Sequence, residues 1–150
     1  MTNINYITLE QAIETHKKTI VYSGGGTFEH YDLGRLDSVL ENIQNDDYYP
    51  TFIEKLTHLF YCTCEFHCFA DGNKRLAITL SAQFLLLNGY MAVAKNFFTI
   101  TENISYHVAF GKIKKDLLLK IMTSIIDGTY DNNEELKLEI LNAIKEDDNL

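Results

Sequence analysis

The sequence predicts an all-α fold, a single domain built as a helical bundle, and three observations carry that expectation. Apolar residues recur at spacings of three and four along most of the chain, the mark of helices that bury one face. Recognisable start and stop signals separate these stretches. One proline, eight glycines and 46% hydrophobic residues in 150 leave little room for linkers and enough apolar side chains for a sizeable core.

Thr8 with Gln11 is a capping-box pair, and it opens a first helix to about Thr19. Asp32 caps a second, whose Leu33, Leu36, Val39, Leu40 and Ile43 form one face. Pro50 suits the first turn of a third, because its fixed φ fits there and its missing N–H is not needed; this helix runs through Phe52, Leu56, Leu59 and Phe60. A fourth begins at about Gly72 or Asn73 and continues through Leu76, Ala77, Leu80, Phe84 and Leu87 to the stop signal Asn88-Gly89. It is the most apolar stretch of the chain and reads as the buried central helix of the bundle. It is also far shorter than the roughly 20 apolar residues that cross a bilayer, so no membrane is expected. The short β-prone segment YMAVA after Gly89 reads as an extended connection. Thr101 then caps a short helix to about Phe110, Lys112 to Ile126 forms another, and Gly128 ends it. The tail, about residues 132–146, repeats Leu136, Ile140 and Ile144 on one face with acids on the other, an amphipathic helix expected to pack on its own domain.

The chemistry gathers in HCFADGNKR, residues 67–75, directly before the central helix. A helix N-terminus presents unpaired N–H groups and a partial positive charge, which suits an anion and disfavours nearby cations by roughly 0.3–1 kcal/mol each. Lys74 and Arg75 stand where helix stability prefers Asp or Glu. A bound polyphosphate removes that conflict, since it answers the dipole and both cations together. Each residue also has a plainer reading. Asp71 alone serves as an N-cap, Phe69 as an apolar anchor of the loop, and His67 as a histidine bonded to backbone at a helix end. A base, a carboxylate, an amide and two cations within nine positions are hard to obtain from folding needs alone.

HCFADGNKRLA resembles the Fic/Doc signature, His-x-Phe-x-(Asp or Glu)-x-Asn-(Gly or Lys)-Arg, and about residues 20–95 look similar to that family. The resemblance implies a Fic/Doc-type helical bundle and a transferase that modifies proteins. His67 would be the general base toward a Ser, Thr or Tyr hydroxyl of a target protein. Asp71 would hold Mg²⁺ on the phosphates of ATP or another nucleoside triphosphate. Gly72 permits close backbone approach, Asn73 would cradle a phosphate, and Lys74 and Arg75 would neutralise phosphate oxygens and the charge developed in transfer.

Members of the family that transfer AMP usually carry Gly after the Asn and a second Arg three places beyond the first; here those positions hold Lys74 and Ile78. The Doc branch has Lys and likewise lacks the second Arg, which implies transfer of the terminal phosphoryl group. Gly72 is the AMP-transferring feature, so AMP transfer is the alternative. A non-catalytic helical module that binds nucleotide or protein is the third reading. Resemblance to Doc suggests a toxin restrained by an antitoxin protein and a translation factor as target. Thr123, Asp127 and Gly128 have the outline of the inhibitory Ser/Thr-x-x-x-Glu-Gly/Asn pattern, but the Arg that such an acid would engage is Ile78.

The segment YSGGGTFEHY, residues 22–31, lacks the Lys-Ser/Thr of a nucleotide P-loop. In the family a flap lies in this region and aligns the target peptide. Gly24, Gly25, Gly26, Thr27, Phe28, Glu29 and His30 are thus target-binding candidates, with a simple connector as the alternative. Cys62 and Cys64 diverge by roughly 200° on a helix and cannot share one metal ion. Together with Cys68 they read as thiols of a reducing compartment, and the odd count points to the cytoplasm. The net charge of −8 argues against nucleic acid as a direct substrate.

Overall fold

The computed structural model describes residues 3–22, 33–65 and 73–145, with backbone alone for 20–22. Among these residues seven α-helices follow one another, with one 3₁₀ turn and no strand: α1 (Leu9–Tyr22), α2 (Leu33–Asn42), α3 (Phe52–Glu65), α4 (Asn73–Leu87), α5 (Met91–Ala109), α6 (Lys115–Asp127), the turn Tyr130–Asn132, and α7 (Glu134–Lys145).

Two helices form the centre. α4 buries Leu76, Ala77, Ile78, Leu80, Ala82, Phe84 and Leu85 on several sides and packs against α1, α3 and α5. Its neighbour α3 buries Leu56, Leu59, Phe60, Cys62 and Cys64 and touches α2, α5 and α6 as well. A helix that is apolar nearly all round belongs inside, as α4 does, while α3 also buries the polar Lys55, Thr57, His58 and Thr63. The rings of Phe84, Phe52 and Tyr90 stack in series at 4.8 and 4.9 Å, fastening the start of α3 to the end of α4. Each such pair contributes about 0.5–1.5 kcal/mol beyond its buried area.

Local signals set most of the boundaries. The Thr8 hydroxyl accepts from the Gln11 N–H at 3.1 Å while the Gln11 side chain accepts from the Thr8 N–H at 3.0 Å, the reciprocal pair that opens α1. The start of α3 differs from expectation. Thr51 caps it by accepting from the Glu54 N–H at 3.1 Å, so Pro50 stands before the cap and outside the first turn. α1 also runs past Thr19 to Tyr22, taking the first residue expected in a flap. Asn133 caps α7 by accepting from the Leu136 N–H at 3.0 Å, and Leu136 and Ile140 bury against the rest of the fold while Leu138 and Leu141 face out.

The largest correction falls after Gly89. YMAVA is the first turn of α5 and no extended connection, and Thr101 lies in the middle of that helix rather than at a cap. Ala94, Phe97, Thr101, Ile104, Ser105 and Val108 form its buried face. Two of these are polar, and the helix itself satisfies them: Thr101 donates to the Phe97 carbonyl and Ser105 to the Glu102 carbonyl, both at 2.7 Å. Burial against α3 and α4 overrides the β propensity of the segment. α6 starts at Lys115, three residues later than expected, and ends where Gly128 takes φ 75°, a left-handed cap that Gly adopts without strain.

The far end of α4 is tied down. Gly89 turns the chain at φ 88°, and the Tyr90 N–H returns to the Leu85 carbonyl at 2.9 Å. The Asn88 side chain accepts from the Asn5 N–H at 2.8 Å and donates to the Asn5 and Phe84 carbonyls at 2.9 and 2.8 Å. Asn5 answers by donating to the Leu87 carbonyl at 3.0 Å. The last carbonyls of α4 thus meet protein donors, which a helix end otherwise lacks.

Candidate functional site

α3 ends at Glu65 and α4 begins at Asn73, so the two central helices flank residues 66–72. His67, Cys68, Phe69, Asp71 and Gly72 lie outside the described residues, as do Asp32 and the flap candidates Gly24, Gly25, Gly26, Thr27, Phe28, Glu29 and His30. Asn73, Lys74 and Arg75 are described, and they form the first turn of α4.

That turn is built against the usual preference. Asn73 is buried, Lys74 and Arg75 are exposed, and the turn carries no acidic residue. Two cations therefore point into solvent where the helix dipole is positive, an arrangement that attracts an anion and gives folding nothing. The end of α3 lies near. Burial and the adjacent Glu65 carboxylate push the Cys64 thiol well above its ordinary range, and Lys74 acts in the opposite direction on the same thiol. The field of Lys74 thus reaches the last turn of α3. A buried thiol held protonated in this way is inert, which suits a structural role for Cys64.

Beside Arg75 a cavity of about 630 Å³ opens between α1, α4 and α5. Arg75, Ile78 and Thr79 line it from α4, Thr15, Lys18 and Thr19 from α1, and Phe98, Thr99 and Glu102 from α5. Its size falls within the range of small-ligand sites. The α5 residues escape a reading of the sequence because the helix that carries them is itself misread there. Lys18 escapes because only the packing of α1 on α4 brings it to Arg75's side. Asp127 lines two other cavities, and the one lined by Ile78 receives no described residue of α6.

A second cluster sits midway along α3. His58 and Cys62 are one turn apart, with the sulfur 3.6 Å from both ring nitrogens. Lys115 lies 2.7 Å from His58 Nδ1 and Tyr49 Oη 3.3 Å from Nε2. Burial, then the charge of Lys115, lowers the His58 pKa from 6.5 to about 4. The sequence shows only that His58 and Cys62 lie four residues apart, and the tertiary packing of α6 on α3 supplies Lys115.

The Fic/DOC family model matches residues 6–85, more than half of the chain. The chain belongs to the Fic/DOC family. None of the curated proteins compared with it matches. Fic/DOC members are typically nucleotidyl- or phosphotransferases that modify proteins, and their helical fold is the one seen here. The matched region spans α1 to α4 and so contains the loop and the first turn of α4, while α5, with its wall of the cavity, lies beyond it. Among the described residues no helix is long and apolar enough to cross a membrane.

Proposed function

We propose that this Fic/DOC protein moves the terminal phosphoryl group of ATP, or of another nucleoside triphosphate, to a Ser, Thr or Tyr hydroxyl of a target protein. The observation that carries the reading is the first turn of α4, where Asn73, Lys74 and Arg75 set an amide and two exposed cations on a helix N-terminus without an acid. In this reading His67 takes the proton of the attacking hydroxyl, and Gly72 and Asn73 let the phosphates approach the backbone amides. Lys74 and Arg75 neutralise the charge that develops on the transferred group. Phe69 anchors the loop. Transfer of this kind is accelerated mainly by positioning and charge stabilisation, and these residues supply both.

The donor set fits Mg²⁺. Asp71, two residues before the start of α4 in sequence, would offer a hard carboxylate oxygen, and Mg²⁺ takes most of its other ligands from phosphate and water. When bound, the ion supplies charge neutralisation on the phosphate oxygens. The cavity beside Arg75 is the proposed seat for the rest of the nucleotide, with Phe98 and Ile78 as its apolar walls. The Gly-rich residues 24–30 align the target peptide, a translation factor in the reading closest to Doc, and an antitoxin protein restrains the enzyme in the cytoplasm.

One observation favours a second reading. Gly72 is the residue of AMP-transferring members, and with it the nucleotide lies in the opposite sense and AMP is transferred. Intact mass spectrometry of lysate proteins after incubation with ATP and Mg²⁺, in parallel with His67→Ala, separates the two. A His67-dependent gain of about 80 Da, one phosphoryl group on a hydroxyl, supports phosphotransfer. A gain of the mass of AMP establishes the second reading, and nucleotide binding without any transfer leaves the non-catalytic module.

A further inference from the structure

The cluster around His58 has no part in the proposed transfer, yet it has the geometry of an activated nucleophile. Lys115 opens α6, is half-buried and so reachable from solvent, and places Nζ 2.7 Å from His58 Nδ1. A lysine nitrogen only donates when it is an ammonium, so Nδ1 is the acceptor and the ring proton belongs on Nε2. There it donates to Tyr49 Oη at 3.3 Å, while the Tyr49 ring stands 4.3 Å from the imidazole and fixes its plane. Cys62 closes the remaining side of the ring at 3.6 Å. Among the described residues no carboxylate pairs with Lys115, whose Nζ stands 5.2 Å from the centre of the Tyr49 ring. Amine, base and orienting hydroxyl are thus connected through the imidazole by contacts of 2.7 and 3.3 Å, the connectivity that marks an activated nucleophile on unrelated folds.

We propose that Lys115 is a nucleophilic amine that small activated acyl donors, acyl phosphates or thioesters, acylate at Nζ, with His58 as the base that receives its proton. The ammonium first releases one proton to solvent. The Nζ lone pair then attacks the acyl carbon, the C–N bond forms, and the bond from that carbon to the phosphate or thiolate oxygen or sulfur breaks with its electron pair. The cationic nitrogen of the adduct is far more acidic than the amine, and it passes its proton to His58 Nδ1 as Tyr49 Oη accepts from Nε2–H. The proton then goes to the leaving group. Burial keeps His58 neutral near pH 7 and therefore available as the acceptor. The product is a neutral amide in place of the charge at the start of α6.

The test is the full chain incubated with acetyl phosphate, with the acetylated fraction at each lysine followed by peptide mass spectrometry. Lys115 is expected to acetylate at least about tenfold faster than the exposed Lys17 and Lys114 of the same chain, the lower part of what a positioned base contributes. His58→Gln is expected to bring Lys115 down to the rate of Lys114, and Tyr49→Phe to lower it in part. Equal rates at Lys115 and Lys114 in the unaltered chain overturn the proposal without any variant. A preference for Lys115 that survives in His58→Gln overturns the role of His58.

Discussion

The two ends of α4 answer the same problem in opposite ways. At the C-terminal end, Asn88, Asn5 and the left-handed Gly89 provide donors for the last carbonyls, and every group that helix termination leaves open there is tied to the protein. At the N-terminal end the first turn carries Lys74 and Arg75 with no acid, which adds positive charge to a positive dipole. One end is built for stability and the other against it. A fold tolerates the second arrangement where something outside it supplies the missing negative charge, the part given to a phosphate in the proposed function.

Breaking the N-terminal side has the largest expected effect. His67→Ala is predicted to lower transfer by about 10²–10⁴-fold, the usual contribution of a general base, with nucleotide affinity kept; single-turnover transfer with a parallel binding titration checks this. Arg75→Gln is predicted to lower transfer by about 10²–10³-fold, as loss of one charge-stabilising donor does. The same change is predicted to leave stability equal or higher by about 0.3–1 kcal/mol, because a cation leaves the positive end of the dipole. Opposite signs in a kinetic assay and in urea unfolding would sharpen the contrast, and a drop in both would break it.

The C-terminal side predicts the reverse pattern. Asn88→Ala removes the acceptor of the Asn5 N–H and the donor to two carbonyls, and it is expected to lower stability by about 1–3 kcal/mol in urea unfolding. Transfer per folded molecule is expected to stay the same. Gly89→Ala meets no atom within 4 Å but places a side chain at φ 88°, and a smaller loss of about 1–2 kcal/mol is expected from the left-handed backbone alone. If either substitution changed the transfer rate of the folded protein, the two ends would not be functionally distinct.

The contrast also explains what the sequence discloses. Gly89, Thr8 with Gln11 and Gly128 work through neighbours a few residues away, so their roles can be read locally and the structure agrees with them, whereas the bonds of Asn88 to Asn5 span the chain and cannot be read that way. α4 is legible as the central helix because apolar residues dominate it from Leu76 to Leu87, with only Thr79, Ser81 and Gln83 between them. α5 is not legible. Its buried face includes Thr101 and Ser105, whose hydroxyls turn back onto the helix, and that arrangement is invisible until the burial is known. At the site, the positions of Asn73, Lys74 and Arg75 follow from the helix start they straddle. The cavity beside Arg75 and the approach of Lys115 to His58 depend on helices distant in sequence, and no spacing rule within one segment could announce them.

The central claim is that the N-terminal end of α4 is a phosphate site, and the most direct test is equilibrium binding of ATP with Mg²⁺ by titration calorimetry. The unaltered chain, the double variant Lys74→Gln with Arg75→Gln, and Asn88→Ala would be compared under conditions where all three are folded. The account predicts that the double variant loses affinity by at least about 100-fold, on the order of two charge-assisted contacts at about 1.5–3 kcal/mol each, while Asn88→Ala binds as the unaltered chain does. Equal affinity in the double variant would contradict it.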